Sequence, residues 1–300
     1  MAQPCGRFAP TPSGELHLGS LLAAVGSYLS ARRAGGRWLL RIDDLDPPRV
    51  VPGAAAAILR SLEAHGLPWD GEVLWQSRRT DAYRAALDQL RRAGRVYPCA
   101  CTRRELAAAA RAGVDGPVYR GTCRAGLPPG HDARAWRLRV PDADIGFHDA
   151  VQGDVCQNLA REVGDFVLQR ADGLLAYQLA TVVDDAFQGV TEVARGVDLL
   201  TSTPRQIHLQ HCLGLPQPGY AHLPLLVDRA GLKLGKQTRA APLDNTAASA
   251  NLQAVLSALR LPPPADLHGA PPAELLRWAV ARWDPARLAG LLAIEATAID

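Results

Sequence analysis

Two clusters in this 300-residue chain combine residue types and spacing that suit chemistry. The first is RFAPTPSGELHLGS, from Arg7 to Ser20, where an apolar run, a turn and a helix start surround one histidine. Pro10, Pro12 and Gly14 punctuate the backbone, and His17 and Gly19 open the run LGSLLAAVGSYLSARR, which predicts a strand, an elbow and a helix. A helix start presents N–H groups that have no acceptor within the helix, which suits a phosphate. Gly19 lets a flat ring or phosphate approach the backbone, and His17 can donate a proton to a phosphate oxygen. The second cluster is Cys99, Cys101 and Cys123. A C-x-C pair plus a thiolate from a later turn supplies three corners of a tetrahedral zinc site. The other reading is three buried free thiols in a reducing compartment, and His131 is one candidate for a fourth ligand. Cys5, Cys156 and Cys212 are isolated and read as small buried residues, with no disulfide framework.

These clusters need elements to hold them. WLLRID, Trp38 to Asp43, reads as a strand after the first helix, AAAAILRSLEAHGL as a helix closed by Gly66, and VLWQS as a further strand. TDAYRAALDQLRRAG has apolar residues at helical spacing, with Thr80 as its expected cap. Asp184 and Asp185 follow the apolar run LATVV, which reads as a strand ending in two carboxylates, and TPRQIHLQHCLG reads as a helix carrying His208 and His211 on its surface or in packing. Strands alternating with helices argue a parallel sheet covered on both faces, with ligands at the carboxyl ends of the strands, where the elbow and Asp43 fall.

Composition bounds the answer. With 48% hydrophobic residues the chain can bury a large core, as one large domain or two smaller ones. It has no apolar run long enough to span a membrane and no signal-peptide pattern at its start, so a soluble cytoplasmic protein is expected. A net charge of +3 is too small to argue nucleic-acid binding by itself.

Five motifs in order carry a family resemblance. The elbow resembles the HIGH-type signature of class I aminoacyl-tRNA synthetases in the form used by the glutamyl group. RIDDLDPPR, Arg41 to Arg49, resembles the strand and loop that follow in that group, and AYQLATVVDDAFQGVTEVARGVDLLTSTPRQ, Ala176 to Gln206, resembles the second half of its catalytic domain. KLGKQ, Lys233 to Gln237, is similar to a degenerate KMSKS loop, and the cysteine cluster sits where the group has an insertion. The resemblance runs from about residue 5 to about residue 245. A full member continues into a helical anticodon-binding domain of ~150 residues or more, whereas only a short Ala- and Leu-rich region follows here. That pattern resembles the truncated bacterial paralogue, which places glutamate on the queuosine base of tRNA(Asp).

The resemblance implies an α/β fold: a class I Rossmann parallel sheet with an inserted zinc-binding region, a short helical C-terminal region and no anticodon-binding domain. Its divisions would be 1–96, the first half of the catalytic domain; 97–135, the zinc-binding insertion; 136–245, the second half with the KMSKS-like loop; and 246–300, the C-terminal region. It implies ATP, L-glutamate and tRNA(Asp) carrying queuosine as partners, with Mg²⁺ accompanying ATP and one structural Zn²⁺ on Cys99, Cys101, Tyr119 and Cys123. His17 and Lys236 would be catalytic, and His17, Gly19, Lys233 and Lys236 would contact ATP. Glutamate brings two carboxylates and an ammonium, so guanidinium and anionic groups must meet it. The resemblance assigns those roles to Arg7, Arg195, Asp43 and Tyr177, with the backbone of Phe8, Ala9, Pro10 and Thr11. Alternatively, Arg7 or Arg195 pairs with a carboxylate such as Asp198, and Tyr177 belongs to the core. Asp43 departs from the family's usual Glu, a carboxylate retracted by one methylene. STPRQ, from Ser202, resembles a capped helix start near the ATP site. Arg103, Arg104, Arg111, Arg120 and Arg124 are expected to touch RNA backbone. Two other functions fit the same motifs: a minimal glutamyl- or glutaminyl-tRNA synthetase charging a 3′ end, and a non-catalytic RNA-binding paralogue.

Overall fold

A computed structural model describes residues 3–108, 111–235 and 240–296. The first half alternates as expected: β1 (Cys5–Phe8), α1 (Leu18–Arg33), β2 (Arg37–Ile42), α2 (Ala54–Ala64), β3 (Leu74–Trp75) and α3 (Thr80–Arg92). An excursion follows with β4 (Val96–Cys99), α4 (Arg103–Ala108), β5 (Arg111–Gly113), β6 (Gly116–Val118) and β7 (Ala135–Leu138). The chain returns through β8 (Asp144–Asp149), β9 (Gly153–Asn158), α5 (Leu159–Glu162), β10 (Phe166–Gln169), α6 (Tyr177–Phe187), β11 (Glu192–Gly196), α7 (Thr203–Leu213), β12 (Gly219–Leu223) and β13 (Leu225–Val227). It closes with α8 (Ala248–Ala258), α9 (Pro272–Arg282) and β14 (Ala293–Glu295).

The sheet is parallel only in part. β1 pairs with β2 and β2 with β3 in parallel, and β11 runs parallel to β12. The two groups meet where the Thr191 N–H donates to the Cys5 carbonyl at 2.9 Å. β8 and β9 form an antiparallel hairpin, and β4, β7 and β10 form a separate antiparallel sheet that roots the excursion. The expectation of a parallel sheet therefore holds for the nucleotide-fold strands and gives way to a mixed architecture elsewhere. The reason is connection length: β8 and β9 are joined by a tight turn, which permits only antiparallel pairing.

One core lies under α1, where Leu21, Leu22, Val25 and Leu29 pack with Trp38, Leu40 and Ile42 of β2 and with Leu252, Val255, Leu275 and Ala279 of α8 and α9. Fully burying each such side chain stabilises by roughly 1.5–3 kcal/mol. α1 lies unusually close to β12: a Cβ on Gly26 would meet Leu223 Cδ1 at 2.4 Å. The C-terminal region is helical as expected but also returns a strand, β14, parallel to β13. A second core joins α3, α6 and α7 to β7 and β10. No helix among the described residues is long and apolar enough to cross a membrane.

Four local expectations are corrected. VLWQS makes only the two-residue β3 before the chain turns at Gln76–Arg79. Thr80 lies inside α3 and Arg79 holds the cap position without a side-chain capping bond. Residues Tyr177–Phe187 form a helix, and its neighbouring carboxylates Asp184 and Asp185 meet different elements. Leu179, Ala180 and Val182 are buried at helical spacing. Asp184 accepts from Gln76 (3.1 Å), Arg79 (2.6 Å) and Tyr83 (2.6 Å), all on the α3 side. Asp185, the next residue, faces β1 and β2. Cys156 is exposed, contrary to the reading of the isolated cysteines as buried, whereas Cys5 is buried and Cys212 half-buried.

Candidate active site and metal centre

The elbow forms as the sequence predicts, with His17 as the N-cap of α1. Its Nδ1 accepts from the Ser20 N–H at 3.3 Å, so a neutral ring carries its proton on Nε2, the nitrogen that can donate to a phosphate. His17, Gly19, Thr11, Asp198 and Lys233 line a cavity of about 200 Å³. A Cβ on Gly19 would stand 3.2 Å from the His17 ring and 3.3 Å from the Leu234 carbonyl. Glycine here lets the helix start and the KLGKQ segment share one wall. Lys233 reaches the Asp198 carboxylate across this cavity. Lys236 and Gln237 lie outside the described residues.

The second part of the site sits at the carboxyl ends of β1, β2 and β11. Arg7 is 4% exposed and its Nε donates to Asp185 Oδ1 at 3.2 Å. The same oxygen accepts from Arg41 Nη1 at 2.5 Å, and Arg41 Nε donates to Asp43 Oδ1 at 2.8 Å. Arg41, missed at the sequence level, is thus the bridge between Asp43 and Asp185; its signal was the R-x-D alternation that puts residues 41 and 43 on one strand face. Burial pushes the Asp43 carboxyl up to about 6 against the pull of Arg41 and Arg7. Burial also works to raise Asp185, but Arg7 and Arg41 outweigh it and hold that carboxyl below its ordinary value. The Asp43 N–H donates to the Pro10 carbonyl at 3.0 Å, tying the end of β2 to the elbow backbone of Phe8, Ala9, Pro10 and Thr11.

Arg195 is held differently. Its Nε faces His222 Nε2 at 3.1 Å, Nη1 donates to Gln206 Oε1 at 2.9 Å, and Nη2 donates to Thr203 Oγ1 at 2.7 Å. Asp198 is not its partner. The start of α7 packs against Arg195, with Thr203 and Gln206 in its first turn supplying acceptors. Ser202, at its cap position, makes no side-chain capping bond. Tyr177 stands at the first turn of α6, 38% exposed and hence outside the core. Arg205, beside it, ion-pairs with Asp115 from the turn between β5 and β6.

Among the described residues, the buried side-chain polar atoms without a protein partner include Arg41 Nη2, Arg205 Nε, Gln206 Nε2, Gln178 Oε1 and Thr181 Oγ1. These five belong to β2, α6 and α7, and a sixth, Gln157 Oε1, is on β9. Buried polar groups are normally satisfied, and these are met by no protein atom. Three of the five are N–H donors, which suits an anion.

Cys99, Cys101 and Cys123 converge, with their sulfurs within 4.8 Å of one another, and can hold a metal ion. Cys101 Sγ lies 3.7 Å from Cys123 Sγ, and Tyr119 Oη lies 3.5 Å from Cys99 Sγ and 3.7 Å from Cys101 Sγ. A zinc ion with bonds of ~2.3 Å to sulfur would set tetrahedral edges of ~3.8 Å. The donor set fits that ion. His131 is exposed and stands outside the cluster, its Nδ1 3.1 Å from the Pro129 carbonyl, whereas the Tyr119 hydroxyl lies beside the sulfurs. Arg137 donates to Cys99 Sγ at 3.2 Å and its guanidinium lies 3.9 Å from the Tyr119 ring centre, bringing a positive charge to an anionic ligand set. Burial raises the Cys99 thiol, but hydrogen bonds from Tyr119 and Arg137 prevail and lower it. Arg103, Arg104, Arg111, Arg120 and Arg124 are exposed around this region. Arg124 also reaches Asp165 at 3.5 Å. His208 Nε2–H donates to the Arg139 carbonyl at 2.8 Å and His211 is exposed, a packing residue and a surface residue.

Residues 5–249 match the catalytic-domain model of class I tRNA synthetases (E and Q). A glutamyl-Q tRNA(Asp) synthetase of Thiobacillus denitrificans is 62% identical over 93% of this chain and 92% of its own length. The chain belongs to the glutamyl-Q tRNA(Asp) synthetase family. Another member, from Chromobacterium violaceum, is 58% identical over 94% of both chains. As a member of this class I family the protein is a ligase. Among solved structures, a glutamate tRNA ligase of Elizabethkingia meningosepticum in complex with its amino acid is 30% identical, with a TM-score of 0.69 over 79% of this chain. The chain spans only 52% of that enzyme's length. A glutamate–tRNA synthetase of Elizabethkingia anophelis superposes with a TM-score of 0.82 at 25% identity, over 99% of this chain and 69% of its own.

Proposed function

We propose that this family member activates glutamate with ATP and transfers the glutamyl group to the queuosine base of tRNA(Asp). The observation that carries the glutamate assignment is the grouping of buried unmet donors, Arg41 Nη2, Arg205 Nε and Gln206 Nε2, beside Arg7 and Arg195. Arg7, Arg195, Asp43, Tyr177 and the backbone of Phe8 to Thr11 form the glutamate site, with Asp43 receiving the ammonium. The names and extents of the relatives support the queuosine acceptor.

In the first step a glutamate α-carboxylate oxygen attacks the α-phosphorus of ATP, and pyrophosphate leaves. Such a step needs positioning and charge stabilisation more than covalent help. His17 Nε2–H donates to an α-phosphate oxygen, Gly19 admits the nucleotide, and Lys233 and Lys236 meet the triphosphate from the KLGKQ segment. In the second step a hydroxyl of the queuosine cyclopentenediol attacks the acyl carbon, and AMP leaves. Mg²⁺ enters on the triphosphate. Zn²⁺, when bound by Cys99, Cys101, Tyr119 and Cys123, fixes the 97–135 insertion and takes no part in either step. These substrates imply a cytoplasmic site of action.

The test is glutamate-dependent pyrophosphate exchange, and transfer of labelled glutamate with ATP and Mg²⁺ to tRNA(Asp) with or without queuosine, each prepared with and without its 3′-terminal adenosine. Label that requires queuosine and is recovered in the anticodon fragment is the expected result. Label only on tRNA with an intact 3′ end would make the protein a minimal synthetase, and no pyrophosphate exchange or transfer would make it a binding paralogue.

A further inference from the structure

We propose that His222, held by Asp149, is a positioning residue for glutamate recognition, because it orients the Arg195 guanidinium. The inference rests on the reading of Arg195 as a glutamate-binding residue. His222 lies on β12, and Asp149 ends β8, 73 residues earlier in the chain. The three side chains touch in series: Asp149 Oδ2 to His222 Nδ1 is 2.5 Å, and His222 Nε2 to Arg195 Nε is 3.1 Å. Exposure is 1% for Asp149, 0% for His222 and 5% for Arg195, so water does not compete for these bonds.

The chain of bonds has one consistent direction. A carboxylate only accepts, so the proton on His222 sits at Nδ1. Arginine only donates, so Nε2 of the same ring presents its lone pair to Arg195. Thr203 Oγ1, 3.1 Å from Nε2, also receives Arg195 Nη2 and closes the triangle. A doubly protonated ring would set two N–H groups against each other, and burial together with the charges of Arg195 and Arg7 keeps His222 below its ordinary value despite the bond to Asp149. Asp149 is itself fixed: its Oδ1 accepts from the N–H groups of Val151 (3.0 Å), Gln152 (2.9 Å) and His222 (3.0 Å). The turn between β8 and β9 thus fixes a carboxylate, the carboxylate fixes a tautomer, and the tautomer fixes the plane of a guanidinium. A bidentate carboxylate contact depends on that plane. Asp149 and His222 are both buried and line no part of the nucleotide cavity.

Pyrophosphate exchange at varied glutamate tests the assignment. His222→Leu should raise the glutamate KM about tenfold or more while leaving kcat at saturation and the ATP KM within about threefold, the pattern of lost binding and not of lost chemistry. His222→Gln, whose amide oxygen can accept from Arg195, should recover most of the loss. Asp149→Asn, which no longer enforces the Nδ1–H tautomer, should share the His222→Leu pattern. Ring ¹⁵N resonances of the unaltered protein provide a readout independent of folding by the variants: an Nδ1–H ring that shifts on adding glutamate is expected, and an Nε2–H ring overturns the proposal. Unchanged glutamate KM in folded His222→Leu, alongside a large increase in Arg195→Ala, also overturns it. An unchanged KM in Arg195→Ala would instead remove the underlying glutamate reading.

Discussion

The two arginines of the candidate glutamate site are buried to the same degree but embedded in opposite electrostatic settings. Arg7 shares the carboxylate of Asp185 with Arg41, so its charge is largely compensated within the fold. Arg195 meets an imidazole, an amide and a hydroxyl, all neutral, and the carboxylate behind them is one imidazole ring away. Neutral acceptors fix a guanidinium without cancelling its field. The comparison teaches that Arg7 chiefly joins α6 to β1, whereas Arg195 keeps its charge available to an incoming carboxylate.

The largest effect should come from breaking the compensated side. Asp185→Asn leaves Arg7 and Arg41 buried with too little negative charge, and should cost about 3–5 kcal/mol of stability, read as a fall in the denaturation midpoint; a midpoint within experimental scatter would place that ion pair among the energetically neutral ones. Next in size is Gln206→Glu, which keeps the acceptor beside Arg195 but adds a compensating charge. It should raise the glutamate KM about tenfold, some 1.4 kcal/mol, without lowering the melting temperature; an unaltered KM would show that the uncompensated field is not what glutamate senses. A smaller effect concerns pH. Because burial lifts the free Asp43 carboxyl to about 6, the ionised form that meets an ammonium is lost as pH falls through that value, and kcat/KM for glutamate should decline with it. In Asp43→Asn that acid limb should vanish along with most of the affinity. The smallest effect is expected for Asp43→Glu, which restores the family's usual side chain and should shift the glutamate KM by no more than about threefold; complete inactivity would show that residue 43 is not at the ammonium position.

Local order was legible in the sequence, and the wiring between segments was not. The run from Leu18 to Arg33 reads as a helix and is one, because its apolar residues and the glycines at its ends act locally. Arg7 and Asp43 stood out as charged residues at strand ends. Their partner Asp185 did not, since LATVVDD has the same apolar run whether it is strand or helix, and only contacts with α3 on one side and β1 on the other decide between them. Thr80 illustrates the same limit at a terminus: the tight turn at Gln76–Arg79 brings the chain into α3 already wound, leaving the threonine no cap to make. His222 sat in YAHLPLL as an unremarked polar residue among apolar ones. Nothing near it in the chain names Asp149 or Arg195, which arrive from strands paired in space.

The pairing of β13 with β14 bears on when during synthesis the enzyme becomes competent. β13 leads directly into the KLGKQ segment, and its open edge is covered by Ala293–Glu295, with Leu225 opposite Ala293 and Val227 opposite Glu295. The Leu225 N–H is also satisfied by the Leu292 carbonyl at 3.0 Å. A ribosome-bound chain can therefore assemble its elbow and its arginines early, but the strand that launches the lysine segment gains its neighbour only after almost every residue described here has emerged. Premature termination in the last helices would leave a molecule with its amino-acid pocket formed and the base of its nucleotide loop unsupported.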